Sequence, residues 1–325
     1  MTTPVITCLS TYSADLVREL AGRRDIEVLL PDPAAGQAQV PALVSSADVV
    51  IGDAARRYHL DHSAIDAMTR CRLIEQPSVG YNTIDVEAAT RRGIPVANTP
   101  GYNADTVADW VLMAMLLLLR DGARADAVMR RGEWQPWPNG RELGALTVGI
   151  VGMGNIGAAV ARRVTGFGAA VVYSSRREHR VPGVPDARRL DLPDLLRVSD
   201  IVTLHVPQTA ETTGMIGAAE LAAMRDGSIL VNASRGPVVD EDALVRALRA
   251  GRPAQAALDV FHTEPLAADS PLRALPGTYL SPHIAANSEQ ARERVHRMVS
   301  DNLRLALDHH SPRHVVNPDV LRAGS

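Results

Sequence analysis

Lysine is absent from this 325-residue chain, so all 34 of its basic residues are arginine. Within the chain that excludes a Schiff-base lysine, a pyridoxal-phosphate anchor and the lysine of a Walker A loop. Cysteine is nearly as scarce. Cys8 and Cys71 are far apart, match no CxxC pattern and are expected to be two buried free thiols, which fits a reducing cytoplasm and excludes a disulfide scaffold. No N-terminal stretch combines a basic region, an apolar core and a small-residue cleavage site, so the expected location is cytoplasmic. Long apolar runs are missing as well. The longest, "WVLMAMLLLL" from Trp110 to Leu119, is about half the roughly 20 residues that cross a bilayer, and reads as a buried helix rather than a membrane contact. The net charge is −3 and the arginines are scattered as doublets such as Arg23-Arg24, Arg91-Arg92 and Arg162-Arg163, so no nucleic-acid partner is expected. Neither GxSxG nor HExxH occurs. His59/His62 and His309/His310 with His314 lack the cysteines or carboxylates that complete a metal site, so no metal is expected.

With 46% hydrophobic residues, the chain can fill the cores of about two domains. Near the N-terminus "PVITCLS", "IEVLLP", "ADVVIG" and "CRLIEQPSVG" are apolar runs separated by helix-like segments such as "SADLVRELAGRR". A second series runs through "ALTVGIVG", "AAVVYSS", "SDIVTLHVP", "GSILVNAS", "AQAALDVF" and "TYLSPH". This alternation predicts an α/β protein with parallel sheets covered by helices. Between the two series a helix is expected from about Ala104 to Arg120, followed by "WQPWPNG", which cannot be regular helix. A last amphipathic segment, "SEQARERVHRMVSDNLRLALDHH", is a helix whose docking site the pattern alone does not fix.

"VGIVGMGNIG" places Gly152, Gly154 and Gly157 in GxGxxG spacing between a strand and a helix, with another β-branched strand beyond. In that context the first glycine permits the tight turn, the second lets the backbone approach a pyrophosphate, and the third lets helix and strand pack closely. About 20 residues on, an NAD site commonly offers a carboxylate to the ribose. This chain offers Ser174, Ser175, Arg176 and Arg177. Hydroxyls and guanidinium groups suit a 2′-phosphate that a carboxylate would repel, so NADP (as NADPH) is expected, with NAD as the alternative.

Polar residues follow three later strands: Arg235 in "VNASRGPVVDEDAL", Asp259 and Glu264 in "ALDVFHTEPL", and His283 in "LSPHIAANS". Each alone has an ordinary explanation as a surface charge, cap, turn residue or loop histidine. Together they supply what reduction of a keto acid needs: an arginine to bind a carboxylate and polarise a carbonyl, and a histidine to give a proton, oriented by a glutamate.

In this order, "PSVGYNTIDVEAATRRGIPVANTPG", "VGIVGMGNIG", "SDIVTLHVP", "NASRGPVVDEDAL", "ALDVFHTEP" and "SPHIAANS" resemble the D-isomer-specific 2-hydroxyacid dehydrogenase family. The likeness runs from about Pro77 to Asn287 and is closest in character to NADP-dependent glyoxylate/hydroxypyruvate reductases. It implies two Rossmann-like or flavodoxin-like domains with a catalytic cleft between them. Residues 1–102 and 287–325 would bind substrate, and 103–286 would bind the dinucleotide. The implied catalytic set is Arg235, Glu264 and His283: His283 as general acid in reduction and base in oxidation, Glu264 as its partner, Arg235 orienting the 2-keto acid. The substrate carboxylate would meet the backbone N–H groups of Val79 and Gly80, with Arg235 and His283 completing the substrate contacts.

The implied cofactor set is Thr106, Gly152, Gly154, Asn155, Ile156, Gly157, Ser174, Ser175, Arg176, Arg177, His205, Val206, Pro207, Thr212, Ala233, Ser234, Asp259 and Ala285. His205 to Pro207 would line the adenosine, and Thr106, Ala233 and Asp259 the nicotinamide. A homodimer is also implied, with Trp137 of "GEWQPWP" brought near the neighbour's pocket or serving as an ordinary interface or core aromatic. Departures are Asp109 for the usual glutamate, Gln208 for leucine, and Ser175 at the usual aspartate, the last weakening an NAD assignment. Glu264 speaks against formate dehydrogenases, Val79 against phosphite dehydrogenases, and an end at Ser325 is expected to leave out a long regulatory domain. The expected activity is reduction of glyoxylate, hydroxypyruvate or a related 2-keto acid. The alternatives are a dinucleotide-binding corepressor-like or scaffold protein without turnover and an NAD-dependent dehydrogenase acting on another substrate.

Overall fold

The computed structural model describes residues 3–322. Of these, residues 3–102 together with 288–322 form one compact unit, and Asn103–Asn287 form a second.

The first unit is built on β1 (Val5–Cys8), β2 (Glu27–Leu29), β3 (Val49–Ile51), β4 (Leu73–Glu75) and β5 (Val96–Ala97), all parallel in the order β2-β1-β3-β4-β5. Successive side chains point to opposite faces, and both faces are apolar. Val50, Ile74 and Val96 pack under the helices Val40–Val44, His62–Ala67 and Val86–Arg91. Ile6, Cys8, Val49, Ile51, Leu73 and Ala97 pack under the helices Ala14–Ala21 and Glu289–Leu307. The last of these helices is the segment whose docking site the sequence pattern leaves open. Its Val295, Val299 and Leu303, four residues apart, form one stripe on the first sheet, and Ser288 caps it by accepting from the Ala291 N–H at 3.0 Å.

The second unit holds β6 (Thr147–Val151), β7 (Ala170–Ser174), β8 (Arg188–Arg189), β9 (Ile201–Leu204), β10 (Ile229–Asn232), β11 (Gln255–Leu258) and β12 (Thr278–Leu280). All are parallel, in the order β12-β11-β10-β9-β6-β7-β8. The order reverses beside β6, which makes the carboxyl end of that strand the topological switch point where ligands of open sheets bind. Val148, Ile150, Val171, Tyr173 and Val231 face the helices Ala104–Arg120 and Asn155–Gly166, while Val172, Val202, Leu204 and Leu230 face the opposite side.

Two readings need correcting. The run "WVLMAMLLLL" is buried along one stripe (Val111, Ala114, Met115, Leu118 and Leu119), but Met113 is 40% exposed, because a helix lying on one sheet hides only one side. Both cysteines are free, yet only Cys8 is buried. Cys71 lies just before β4 and is half-buried.

Candidate active site

The glycine loop leaves β6 at Gly152, whose φ of 98° is open to glycine. A Cβ there would stand 2.8 Å from the carbonyl of His205, which follows β9. Gly157 passes so close to the loop that its Cβ would meet the Gly152 carbonyl oxygen at 2.1 Å, whereas a Cβ on Gly154 would meet nothing within 4 Å. Gly154 is the N-cap of the helix Asn155–Gly166 and supplies no side-chain cap bond. The amides of Asn155, Ile156 and Gly157 therefore open the helix without a side-chain cap, the arrangement that receives an anion. Beyond β9 the Thr212 hydroxyl donates to Pro207 O at 2.6 Å and accepts from the Thr209 N–H at 2.8 Å, closing the loop that carries Val206 and Pro207. His205 pairs through Nε2 with the Thr203 hydroxyl at 2.9 Å. Burial pushes this imidazole down to about 3, so it is neutral near pH 7, and its Nδ1 has no partner.

At the end of β7 the carbonyl oxygens of four consecutive residues each accept a hydrogen bond. Ser174 O accepts from the Gly152 N–H at 2.8 Å, Ser175 O from Arg189 Nε at 3.1 Å, Arg176 O from Arg189 Nη2 at 3.3 Å, and Arg177 O from the Ser175 hydroxyl. The Ser175 hydroxyl is thus turned onto its own loop, while the Arg176 and Arg177 side chains are exposed. Glu211 is held below the usual carboxylate range, by the Thr209 hydroxyl first and by the Arg176 field last.

Arg235 follows β10 on a turn that Asn232 closes. Asn232 Oδ1 accepts from the Ser234 N–H at 3.0 Å and the Ser234 hydroxyl at 2.9 Å, and its Nδ2 donates to Arg235 O at 3.0 Å. The Arg235 guanidinium donates back to Ser234 O at 2.7 Å. Gly236 lets this turn touch the one after β11, since a Cβ on it would lie 1.9 Å from Phe261 O. On that second turn Glu264 accepts the Phe261 N–H through Oε1 at 3.2 Å and faces His283 Nδ1 through Oε2 at 2.8 Å.

His283, after β12, has a φ of 55°, a left-handed conformation that costs a non-glycine residue about 1 kcal/mol or more. The loop is fastened to Asp259, whose main-chain oxygen accepts the His283 N–H at 2.8 Å. The Asp259 carboxylate, 1% exposed, accepts the Ser281 hydroxyl at 2.5 Å and the N–H groups of Ile284 and Ala285 at 2.8 and 2.7 Å. Asp259, assigned by resemblance to the nicotinamide, thus spends most of its capacity holding the histidine loop. Thr106 lies in the first turn of the helix Ala104–Arg120, and Ala233 sits half-buried beside Ser234. Trp137 stacks against Arg124 of its own chain, 4.5 Å from ring centre to guanidinium.

Val79 and Gly80 belong to the first unit, on the loop after β4. Gln76 Nε2 donates to the Ser78 hydroxyl at 2.9 Å, that hydroxyl donates to Gly80 O at 2.7 Å, Thr99 N donates to Ser78 O at 3.2 Å, and Asn98 Nδ2 donates to Val79 O at 2.8 Å. The N–H groups of Val79 and Gly80 take part in none of these bonds. Sequence reasoning assigned no role to Asn232, Ser281, Gln76, Asn98 or Arg189. The first four stand in the quoted stretches as polar residues closing a strand, the signal by which the sequence marks them; Arg189 stands in none.

Residues 112–285 match the model of the D-isomer specific 2-hydroxyacid dehydrogenase NAD-binding domain, and the chain belongs to the D-isomer specific 2-hydroxyacid dehydrogenase family. Among its relatives, the glyoxylate reductase of Korarchaeum cryptofilum is 43% identical over 81% of each chain. A glyoxylate reductase from Paecilomyes thermophila is similar in structure, with a TM-score of 0.87 and 29% identity over 97% of this chain and 99% of that one. The NADPH-dependent glyoxylate/hydroxypyruvate reductase of Sinorhizobium meliloti, solved with NADP and malonate, has a TM-score of 0.83 and 29% identity over 97% of each chain.

Proposed function

We propose that this protein reduces glyoxylate, hydroxypyruvate or a closely related 2-keto acid to the D-2-hydroxy acid, with NADPH as the hydride donor. The observation that carries the reading is the Glu264–His283 pair, 2.8 Å apart and fixed through Asp259, two turns from Arg235. The chain's residues fit a dinucleotide: a glycine cradle that a Cβ would fill, a helix start without a side-chain cap, and the unpartnered Nδ1 of His205 at the adjoining strand end. When bound, the nicotinamide supplies the hydride. In reduction the His283 imidazolium donates Nδ1–H to the Glu264 carboxylate and gives the proton on Nε2 to the carbonyl oxygen, leaving a neutral ring that keeps its Nδ1 hydrogen. Arg235 polarises that oxygen and binds the carboxylate, and the loop of Val79 and Gly80 offers backbone N–H groups of the kind that suit a carboxylate.

NADPH is favoured over NADH by the stretch Ser174 to Arg177, which has no carboxylate where an NAD site has one and carries the exposed cations Arg176 and Arg177, although the Ser175 hydroxyl is spent on its own loop. The S. meliloti relative, solved with NADP, supports the same choice. The test is a panel of 2-keto acids run with both nucleotides. Turnover of glyoxylate or hydroxypyruvate with a higher kcat/KM for NADPH is expected. A preference for NADH overturns the cofactor reading, and tight nucleotide binding with no turnover of any keto acid favours a binding protein. Arg176→Ala is expected to lower the NADPH-to-NADH ratio about tenfold or more.

A further inference from the structure

We infer that Arg189, on the two-residue edge strand β8, is a positioning residue for nucleotide selectivity, sequestering the carbonyl oxygens of Ser175 and Arg176 so that the end of β7 presents positive groups to a 2′-phosphate. This rests on the NADPH reading above.

The argument starts from the four carbonyl oxygens of Ser174 to Arg177. Each carries partial negative charge, and any of them turned toward a phosphate dianion would repel it. Ser174 O is taken by the Gly152 N–H at the end of the neighbouring β6, and Arg177 O by the Ser175 hydroxyl of the loop itself. The middle two have neither donor. They are covered from outside by one guanidinium, Nε on Ser175 O at 3.1 Å and Nη2 on Arg176 O at 3.3 Å.

β8 exists in the right register for this. Arg188 pairs with Val172 and Arg189 with Tyr173, and the Leu190 N–H donates to Tyr173 O at 2.8 Å, so Arg189 emerges beside the last residues of β7. The larger loop is closed independently, the Tyr173 hydroxyl donating to His179 O at 3.1 Å and accepting the His179 N–H at 3.0 Å. Losing Arg189 therefore removes the cover from two carbonyls without removing the loop's other closure. A planar fork is what two neighbouring carbonyls require, and lysine, a point cation, can satisfy only one of them well.

The experiment uses the full chain with Arg189→Leu and Arg189→Lys, measuring KM and kcat with NADPH and NADH. The affinities of 2′,5′-ADP and 5′-AMP as competitors give a readout independent of turnover. Arg189→Leu is expected to raise KM for NADPH about tenfold, to leave kcat and the KM for NADH nearly unchanged, and to lower the 2′,5′-ADP preference by a similar factor, with Arg189→Lys intermediate. Equal losses with both nucleotides, or an unchanged preference in a folded Arg189→Leu protein, overturn the role of Arg189. If Arg189→Leu fails to fold, an Arg189→Lys protein with wild-type preference overturns it. The underlying cofactor reading fails separately, if the wild-type chain itself binds 2′,5′-ADP no better than 5′-AMP.

Discussion

At the carboxyl end of the second sheet, the groups proposed for the chemistry are side chains: the Asp259 carboxylate gathers backbone N–H groups to present His283, and the Asn232 amide closes the turn that presents Arg235. At the carboxyl end of the first sheet the groups presented belong to the main chain. There Gln76, Ser78 and Asn98 spend their side chains fastening a loop whose proposed contribution is the backbone N–H groups of Val79 and Gly80. The contrast teaches that one parallel-sheet plan can yield a reactive edge or a receptive one, depending on whether the fastened loops present side chains or main-chain N–H groups.

The contrast breaks most severely at the imidazole. His283→Ala is expected to reduce kcat about 10²- to 10⁴-fold with nucleotide affinity nearly intact, checked by steady-state kinetics beside nucleotide titration. Near-normal turnover would remove the histidine from the chemistry. Gly236→Ala comes next. Its methyl would fall on the Phe261 carbonyl, so the turns carrying Arg235 and Glu264 must separate, and a loss of kcat on the order of 10²-fold is expected. A fully active Gly236→Ala enzyme would show that the two turns need not touch.

Asn98→Ala tests the receptive side. Freeing Val79 O should raise KM for the keto acid about fivefold while the KM for NADPH stays put. An equal rise in both would make Asn98 a general stability residue.

The last prediction concerns stability rather than rate, through Glu75, buried at the end of β4 with Asn302 Nδ2 on Oε2 at 2.8 Å and no partner on Oε1. Burial pushes its carboxyl well above the usual 4.5, so the folded chain keeps a proton that the unfolded chain releases. Its contribution is fully present below pH 4.5 and is lost as pH rises through the folded value, by up to about 1.4 kcal/mol per pH unit. Glu75→Gln should flatten that slope in denaturant titrations between pH 5 and 8. An unchanged slope would assign it to another group.

These two kinds of edge were not equally legible in the sequence. Six strands of the second unit and four of the first show as apolar runs, and Arg235, Glu264 and His283 stand out by chemical type together with the family resemblance. β5 and β8, two residues each, are too short to show a period, and they exist through pairing with β4 and β7. The Ser175 hydroxyl turns onto Arg177, two residues on, while the grip of Arg189 joins it to Ser175, 14 residues away, through a register that composition does not encode. Asp259 was noticed for its chemistry, but its three bonds come from Ser281, Ile284 and Ala285, which stand 22 to 26 positions away.

The fastening of the His283 loop to Asp259 also bears on how the rate should depend on temperature. A ring already oriented when substrate arrives has little configurational search left to complete, so the activation entropy of the proton transfer should be only mildly unfavourable. The ordering is instead borne at folding, when a buried carboxylate draws two amides and a hydroxyl around itself.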